Sequence, residues 1–341
     1  MTLPHEAVRV AIAGAASLRG KEIKLCLEDA NFLTSEIRLL DEGIAAGTLT
    51  EAGGEPAVIE TVDEDSFERV RFAFFTGSKE FSARHVDEAR RAGATVIDLS
   101  NRIDTAPGAK PWIPALDAIL GAPMASAAPD APQSLFLAPS APADVAISLS
   151  AAFAPLGLTR LVLTFFQPVS ERGTEGIEEL ESQVVKLLSF EPIPQAVFDA
   201  QVGFNMLTAY GPECTQKLAD IRGGIVSEVI NYVAGRIVMP SIALVQAPVF
   251  HAYAFTAYAD FKNKVATDTV VDRLTKSGLK VAAADDPPPT NVSVAGEARP
   301  VLARPEPDPE IETGFWLWGA ADNLRVPAAT AIAIAEKLLA S

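Results

Sequence analysis

Apolar residues fall into two rhythms over the first part of the chain. Short unbroken runs at Val8–Ile12, Ile37–Leu40, Val70–Phe75 and Ala94–Leu99 are separated by amphipathic stretches through Ile23–Leu27 and Arg84–Ala92. Continuous apolar runs are how strands buried on both faces read, and helices between them make the sheet parallel. The pattern predicts an α/β unit with a doubly wound parallel sheet. Ser134–Leu137 reads as the end of another buried strand, and Val145–Phe153 as the body of a packed helix. The loop between them, Leu137 to Asp144, is where such a fold presents a nucleophile to a helix N-terminus. No nucleophile with an obvious base lies at its centre.

From about Thr159 the texture changes. Leu161–Phe166 is strand-like, Thr174–Leu188 is a long amphipathic helix, and further helices are expected at Glu213–Ile221 and Ile225–Ala234. Strands Ile242–Phe250 and Ala252–Phe261 follow almost without a break. Asp285–Pro309, rich in proline and acidic residues, is expected to be an exposed loop with Val292–Val294 as a candidate sheet edge. Strand Phe315–Ala320 and helix Asn323–Leu339 close the chain. This half predicts an α+β domain on a mostly antiparallel sheet.

Composition narrows the function classes. With 341 residues and 49% hydrophobic content the chain can fill two cores. A formal net charge of −16 argues against nucleic acid and anionic membranes as partners. The two cysteines, Cys26 and Cys214, have no metal-like spacing, so no metal is expected, and Cys26 falls on an apolar helix stripe. No basic segment with a following apolar core opens the sequence. The most apolar region, Ala138–Phe166, is broken by Pro139, Pro142, Asp144, Pro155 and Arg160. A cytoplasmic protein is expected.

Candidate chemistry begins at the first strand. Gly14, Ser17, Leu18, Arg19 and Gly20 form a small-residue loop entering a helix, as in a dinucleotide-binding βαβ unit, with Ser17 where a third glycine is commonest. Arg19 either attracts a pyrophosphate or projects into solvent. Asp41 and Glu42 end the second strand, where a carboxylate bonds a ribose 2′-hydroxyl and repels a 2′-phosphate. They favour NAD over NADP if a cofactor binds, the alternative being a solvated acidic turn. Thr76-Gly77-Ser78 and Ser100 could line the same cleft.

Several motifs, in order, resemble the aspartate-semialdehyde dehydrogenase family: the Gly14–Glu22 loop, Ile97-Asp98-Leu99-Ser100, Gln167-Pro168-Val169-Ser170-Glu171-Arg172-Gly173, Pro248-Val249-Phe250 and Trp318 to Arg325. The resemblance implies a Rossmann domain over 1–140 completed by a C-terminal helix at 322–341. It also implies a catalytic and dimerisation domain over 141–321, a homodimer, and NADP-linked reduction of an acyl phosphate through a cysteine thioester. It further implies that Ala141 stands at the nucleophile position, Gln246 at an arginine position and Tyr253 at the histidine position. A methyl group forms no thioester, and Ser140 beside it reads as an N-cap. His251, two residues before Tyr253, is expected on the same strand face. Cys214 and Lys217 fall near the implied cleft on a separate helix, with Lys217 also readable as a solvated lysine. The family arginine after the Asp-Leu-Ser strand falls on Asp104, with Arg102 close by. Gln167, Ser170 and Asn323 are retained, Asn323 near where the resemblance puts the nicotinamide.

Three readings follow, the last being the ordinary family enzyme with Cys214 in place of the missing nucleophile. The first is a non-catalytic homologue that keeps the fold, the dimer and dinucleotide binding. The second is an NAD(P)-dependent oxidoreductase working by direct hydride transfer, with Tyr253 or His251 as the acid.

Overall fold

The computed structural model describes residues 7–100, 108–121, 134–233 and 235–340. The chain divides into two compact units, Met1–Ser140 with Pro327–Ser341, and Ala141–Val326. The first contains β1 (Val8–Ala13), α1 (Leu18–Glu28), β2 (Thr34–Asp41), β3 (Leu49–Ala52), β4 (Glu55–Thr61), β5 (Phe72–Phe75), α2 (Lys79–Arg91), β6 (Thr95–Asp98), β7 (Ala109–Pro111), α3 (Asp117–Leu120) and β8 (Leu135–Leu137). Its sheet runs β3-β4-β2-β1-β5-β6-β8-β7, parallel except for the β3–β4 hairpin.

Chain order reverses between β1 and β5, the switch point at which an open α/β sheet takes its ligand. Both faces are covered. Ile23, Cys26 and Leu27 of α1 pack with Phe72, Phe74 and Phe136 on one side, joined by Ala328, Ala331 and Ile334 from the C-terminal helix. Phe81, Val86 and Ala89 of α2 pack with Phe67, Phe75 and Val96 on the other. This double burial is why the strands are unbroken apolar runs. Helix α2 begins five residues before the expected Arg84, because the Ser78 hydroxyl accepts from Phe81 N–H and starts the helix there. The β3–β4 hairpin, with Gly53 and Gly54 at its turn in the left-handed region, went unread.

The second unit contains α4 (Ala141–Phe153), β9 (Leu158–Gln167), α5 (Gly173–Leu188), α6 (Leu218–Val233), β10 (Ser241–Gln246), β11 (Tyr253–Phe261), α7 (Thr267–Lys276), β12 (Lys280–Val281), β13 (Val301–Leu302), β14 (Glu306–Pro307), β15 (Gly314–Ala321) and the start of α8 (Arg325–Leu339). The sheet order is β10-β9-β11-β15-β13-β12, with β14 beside β15. The central β9–β11–β15 ladder is antiparallel, while β10 joins β9 in parallel.

Four expectations change here. The two helices expected at Glu213–Ile221 and Ile225–Ala234 are one, α6, which runs through Gly223 and Gly224 because its apolar face packs on α4 and β10. The strand expected over Ile242–Phe250 ends at Gln246, and β10 and β11 do not form a hairpin, since both pair with β9. The strand in this region is Val301–Leu302, lying between β15 and the edge strand β12; Val294 is instead a buried turn residue packed with Ala252, Val301 and Ala320. The final helix begins at Arg325 rather than Asn323, with Asp322 accepting from the Leu324 and Arg325 amides.

One face of this sheet packs on α4, with Leu161, Leu163, Phe165, Phe255 and Leu317 buried. The opposite face presents three cross-strand rows: Ser241–Val162–Tyr258–Trp316, Ala243–Thr164–Thr256–Trp318 and Val245–Phe166–Ala254–Ala320. Val162, Trp316 and Trp318 are exposed in the single chain.

Candidate functional site

In the first unit, the glycine loop meets the loop after β5 at backbone contact. Gly14 has φ +93°, and a Cβ placed on it would fall 2.2 Å from Gly77 N; one on Gly20 would fall 2.5 Å from the Gly14 carbonyl. Only glycine fits both places. The Ser17 hydroxyl accepts from Gly20 N–H at 2.9 Å and donates to the Thr76 carbonyl at 3.0 Å, so it caps α1 and ties the two loops together. Thr76 Oγ1 donates to the Gly14 carbonyl at 2.9 Å. Leu18 and Arg19 occupy the first turn of α1, both half-buried. This close-packed loop opening onto a helix N-terminus is a backbone cradle of the kind that takes a pyrophosphate.

Asp41 turns inward. Its Oδ2 accepts from Ala16 N–H at 2.8 Å and its Oδ1 from Glu42 N–H at 2.9 Å, so the end of β2 is pinned to the glycine loop. Glu42 is held from the other side. Its Oε1 lies 2.9 Å from His85 Nε2 and its Oε2 2.5 Å from Arg84 Nη2, both on α2; His85 Nδ1 lies 3.1 Å from Glu88 Oε2. The hydrogen bond from His85, reinforced by Arg84, holds the Glu42 carboxyl below the usual carboxylate range. Arg84 and His85 were not read as site residues. The Glu88 spacing of one helical turn from His85 was the only local hint of the cluster.

In the second unit the positions singled out gather into one buried polar group. Gln167 ends β9, Gln246 ends β10 and Tyr253 begins β11, so adjacent strand ends place them side by side. Tyr210 joins from the loop before α6 and packs against Phe198 with ring centroids 5.3 Å apart. Its hydroxyl donates to Gln246 Oε1 at 2.6 Å and accepts from Gln167 Nε2 at 3.0 Å. Gln246 Nε2 donates to the carbonyls of Gln167 and Ala247, both at 2.9 Å, and Tyr253 OH donates to Gln167 Oε1 at 3.3 Å. Burial pushes the Tyr210 phenol above the ordinary tyrosine range. These four groups answer one another's hydrogen-bonding needs, as a buried polar cluster must. Tyr210 had no pattern to betray it.

The remaining positions spread out. Ala141 is the first residue of α4 and fully buried, directly after buried Ser140. His251 does not share a face with Tyr253. Ala252 between them has φ +64°, which breaks the extended run, so His251 is exposed while Tyr253 is buried. The Ala252 amide donates to Asn323 Oδ1 at 3.0 Å, and Asn323 Nδ2 donates to Ser170 Oγ at 3.0 Å and reaches Glu171 Oε1 at 3.3 Å. Asn323 and Ser170 therefore brace a turn. Cys214 is not helical; it is a buried turn residue whose Sγ lies 3.2 Å from both the Val197 and the Gln216 carbonyl oxygen, either of which can accept its single proton. Lys217, just before α6, donates to the carbonyls of Gly211 and Pro212 rather than extending into solvent. Arg172 bonds the Gln216 side chain. Arg102 and Asp104 lie outside the described residues. Among the described residues no three metal-ligating side chains converge, and no helix is long and apolar enough to cross a membrane.

The comparisons agree with this architecture. The family model of the semialdehyde dehydrogenase NAD binding domain matches residues 9–131, and that of the dimerisation domain residues 149–326. A USG-1 protein homolog of Pseudomonas aeruginosa is 30% identical, with 97% of this chain and 98% of that protein aligned. Aspartate-semialdehyde dehydrogenase 2 of Vibrio cholerae is 25% identical over 97% of each. The solved structure of a probable aspartate-semialdehyde dehydrogenase from Pseudomonas aeruginosa superposes with a TM-score of 0.84 at 28% identity, covering 98% of this chain and 99% of that one. With both domain models matched in order and a relative aligned nearly end to end, the chain belongs to the semialdehyde dehydrogenase family.

Proposed function

We propose that this protein is a dimeric, dinucleotide-binding member of the family that does not carry out thioester chemistry. The observation that carries the proposal is the closed set of Gln167, Tyr210, Gln246 and Tyr253. Amides and phenols buried against one another hold no group ionised to bind a carboxylate or phosphate, and none poised as a base. Ala141 supplies a methyl group where the family resemblance calls for a thiol. Cys214 is a poor substitute: its thiol is buried beside two carbonyl oxygens. The direct-hydride alternative is weaker for a similar reason. Tyr253 is buried and bonded to Gln167, and His251 lies on the surface.

Dinucleotide binding rests on the Gly14–Gly20 cradle. The Ala16 and Gly20 amides are already bonded to Asp41 and Ser17, so the first-turn amides around Leu18, with Arg19, would meet a pyrophosphate. A nicotinamide cofactor there would supply hydride chemistry. Asp41 and Glu42 favour NAD. The dimer would form through the face of the second sheet that carries exposed Val162, Trp316 and Trp318, whose apolar and tryptophan content suits burial against a second copy.

The test is a paired one. The purified protein is titrated with NADH and NADPH while its melting temperature is followed. It is then incubated with an aldehyde or acyl phosphate and examined by mass spectrometry. Stabilisation by NADH without a covalent adduct on Cys214 and without turnover is expected. An adduct or turnover would overturn the non-catalytic reading.

A further inference from the structure

We infer that Glu42, clamped by Arg84 and His85 of α2, is the nucleotide-selecting residue of the first unit, and that it works by keeping Arg84 from an incoming 2′-phosphate. The inference rests on the dinucleotide-binding reading above and names the device that would set its preference.

Three observations converge. Asp41 ends β2 at the sheet's switch side, and its carboxylate is bonded to the glycine loop through Ala16 N–H, so the β2 terminus and the cradle form one rigid piece. Glu42, the next residue, is therefore fixed beside the place where a ribose attached to a cradle-bound pyrophosphate must pass. The Glu42 side chain is fixed in turn, with both oxygens engaged: Oε2 by Arg84 and Oε1 by His85.

The arrangement around His85 adds a second hold on Glu42. Both ring nitrogens lie within hydrogen-bond distance of carboxylates, Nε2 of Glu42 and Nδ1 of Glu88. A carboxylate only accepts, so the ring nitrogen facing Glu42 is the donor in that contact. The Phe81 ring, 4.9 Å from the imidazole, packs against it and limits its movement. Glu42 is thus oriented by Arg84 and His85 together and cannot swing away from the ribose side without losing both contacts.

For a 2′-phosphate the consequence is twofold. It meets the Glu42 carboxylate, and the one arginine in this cluster is already paired to that carboxylate. A ribose bearing a free 2′-hydroxyl meets the opposite case, since a carboxylate accepts from a hydroxyl. Replacing Glu42 by glutamine removes the repulsion and releases the Arg84 guanidinium as a phosphate ligand, a role that its planar fork suits.

The experiment measures dissociation constants for NADH and NADPH by nucleotide fluorescence in wild type, Glu42→Gln and the double variant Glu42→Gln/Arg84→Ala, with melting temperature recorded for each. Wild type should prefer NADH. Glu42→Gln should shift the NADPH-to-NADH ratio by about tenfold or more toward NADPH, because removing a like charge beside a phosphate is worth at least that. The double variant should lose most of that gain. If wild type binds NADH and Glu42→Gln leaves the ratio within about twofold, the selection mechanism is overturned while nucleotide binding stands. If wild type and Glu42→Gln bind neither nucleotide and both melt as folded proteins, the dinucleotide reading falls and takes this inference with it. A gain that survives in the double variant overturns the role given to Arg84.

Discussion

The Tyr210 hydroxyl donates to Gln246 Oε1 across 2.6 Å, joining a loop residue to a strand end 36 positions away in a fully enclosed setting. Removing that hydroxyl takes one bond from each glutamine and leaves them joined to each other, Gln167 Nε2 donating to Gln246 Oε1 at 3.1 Å. Tyr210→Phe should cost about 1 kcal/mol of unfolding free energy, the usual net contribution of a buried hydrogen bond. Gln246→Arg should cost more, roughly 3 kcal/mol or above, because it buries a charge that no carboxylate in the cluster answers. Urea denaturation of the two variants beside wild type checks both values and their order.

The same phenol predicts an alkaline limit. Burial raises the pKa of Tyr210 in the folded protein, so the fold favours its neutral form. In the unfolded chain tyrosine ionises near its ordinary value of about 10. The stability tied to Tyr210 is therefore intact below about pH 10 and falls as pH rises beyond it, since only the unfolded state then releases the proton. Stability measured across this range should fall more steeply for wild type than for Tyr210→Phe. Equal slopes would show that the phenol is not the group responsible.

Ala252 gives a third prediction. Its φ of +64° lies where a side chain is strained, while Ala257 on β11 is equally buried in an ordinary extended conformation. Placing glycine at Ala257 should destabilise by about 1–2 kcal/mol, from lost burial and added chain entropy. At Ala252 relief of strain of about 1 kcal/mol offsets most of that cost. The difference between the two substitutions in a chemical unfolding series is the quantity to measure, and two equal costs would refute the strain.

The exposed sheet face yields a fourth. Thr164 and Thr256 are paired at the middle of its three rows, between Ala243 and Trp318. Thr256→Arg would place a charge near the centre of a self-complementary contact, once in each subunit. Light scattering should show wild type as a dimer and the variant shifted to monomer with unchanged circular dichroism. A variant that remains dimeric would move the interface to another surface.

Much of this was legible in the residues because burial writes itself into hydrophobic pattern. The strands of the first unit are continuous apolar runs, and the glycine loop shows its role because no other residue fits beside Gly77. What escaped depends on relationships that pattern does not encode. Gly223 and Gly224 suggest a helix break, but packing of α6 on α4 and β10 overrides their low propensity. Alternation put His251 and Tyr253 on one face, while a single left-handed residue between them turned one outward and the other inward. Tyr210 enters the candidate site from a loop without periodicity. Arg84 and His85 meet Glu42 across more than 40 positions of chain, a contact that only the parallel crossover creates.

The closed polar cluster also acts as a ratchet on the protein's own future. Gln167, Tyr210, Gln246 and Tyr253 share one set of buried hydrogen bonds, so altering one weakens the bonding of its neighbours. A lineage introducing an anion-binding or proton-transferring group there would pass through less stable single variants. Such a group enters most readily with concerted change, whereas exposed surfaces can drift one residue at a time.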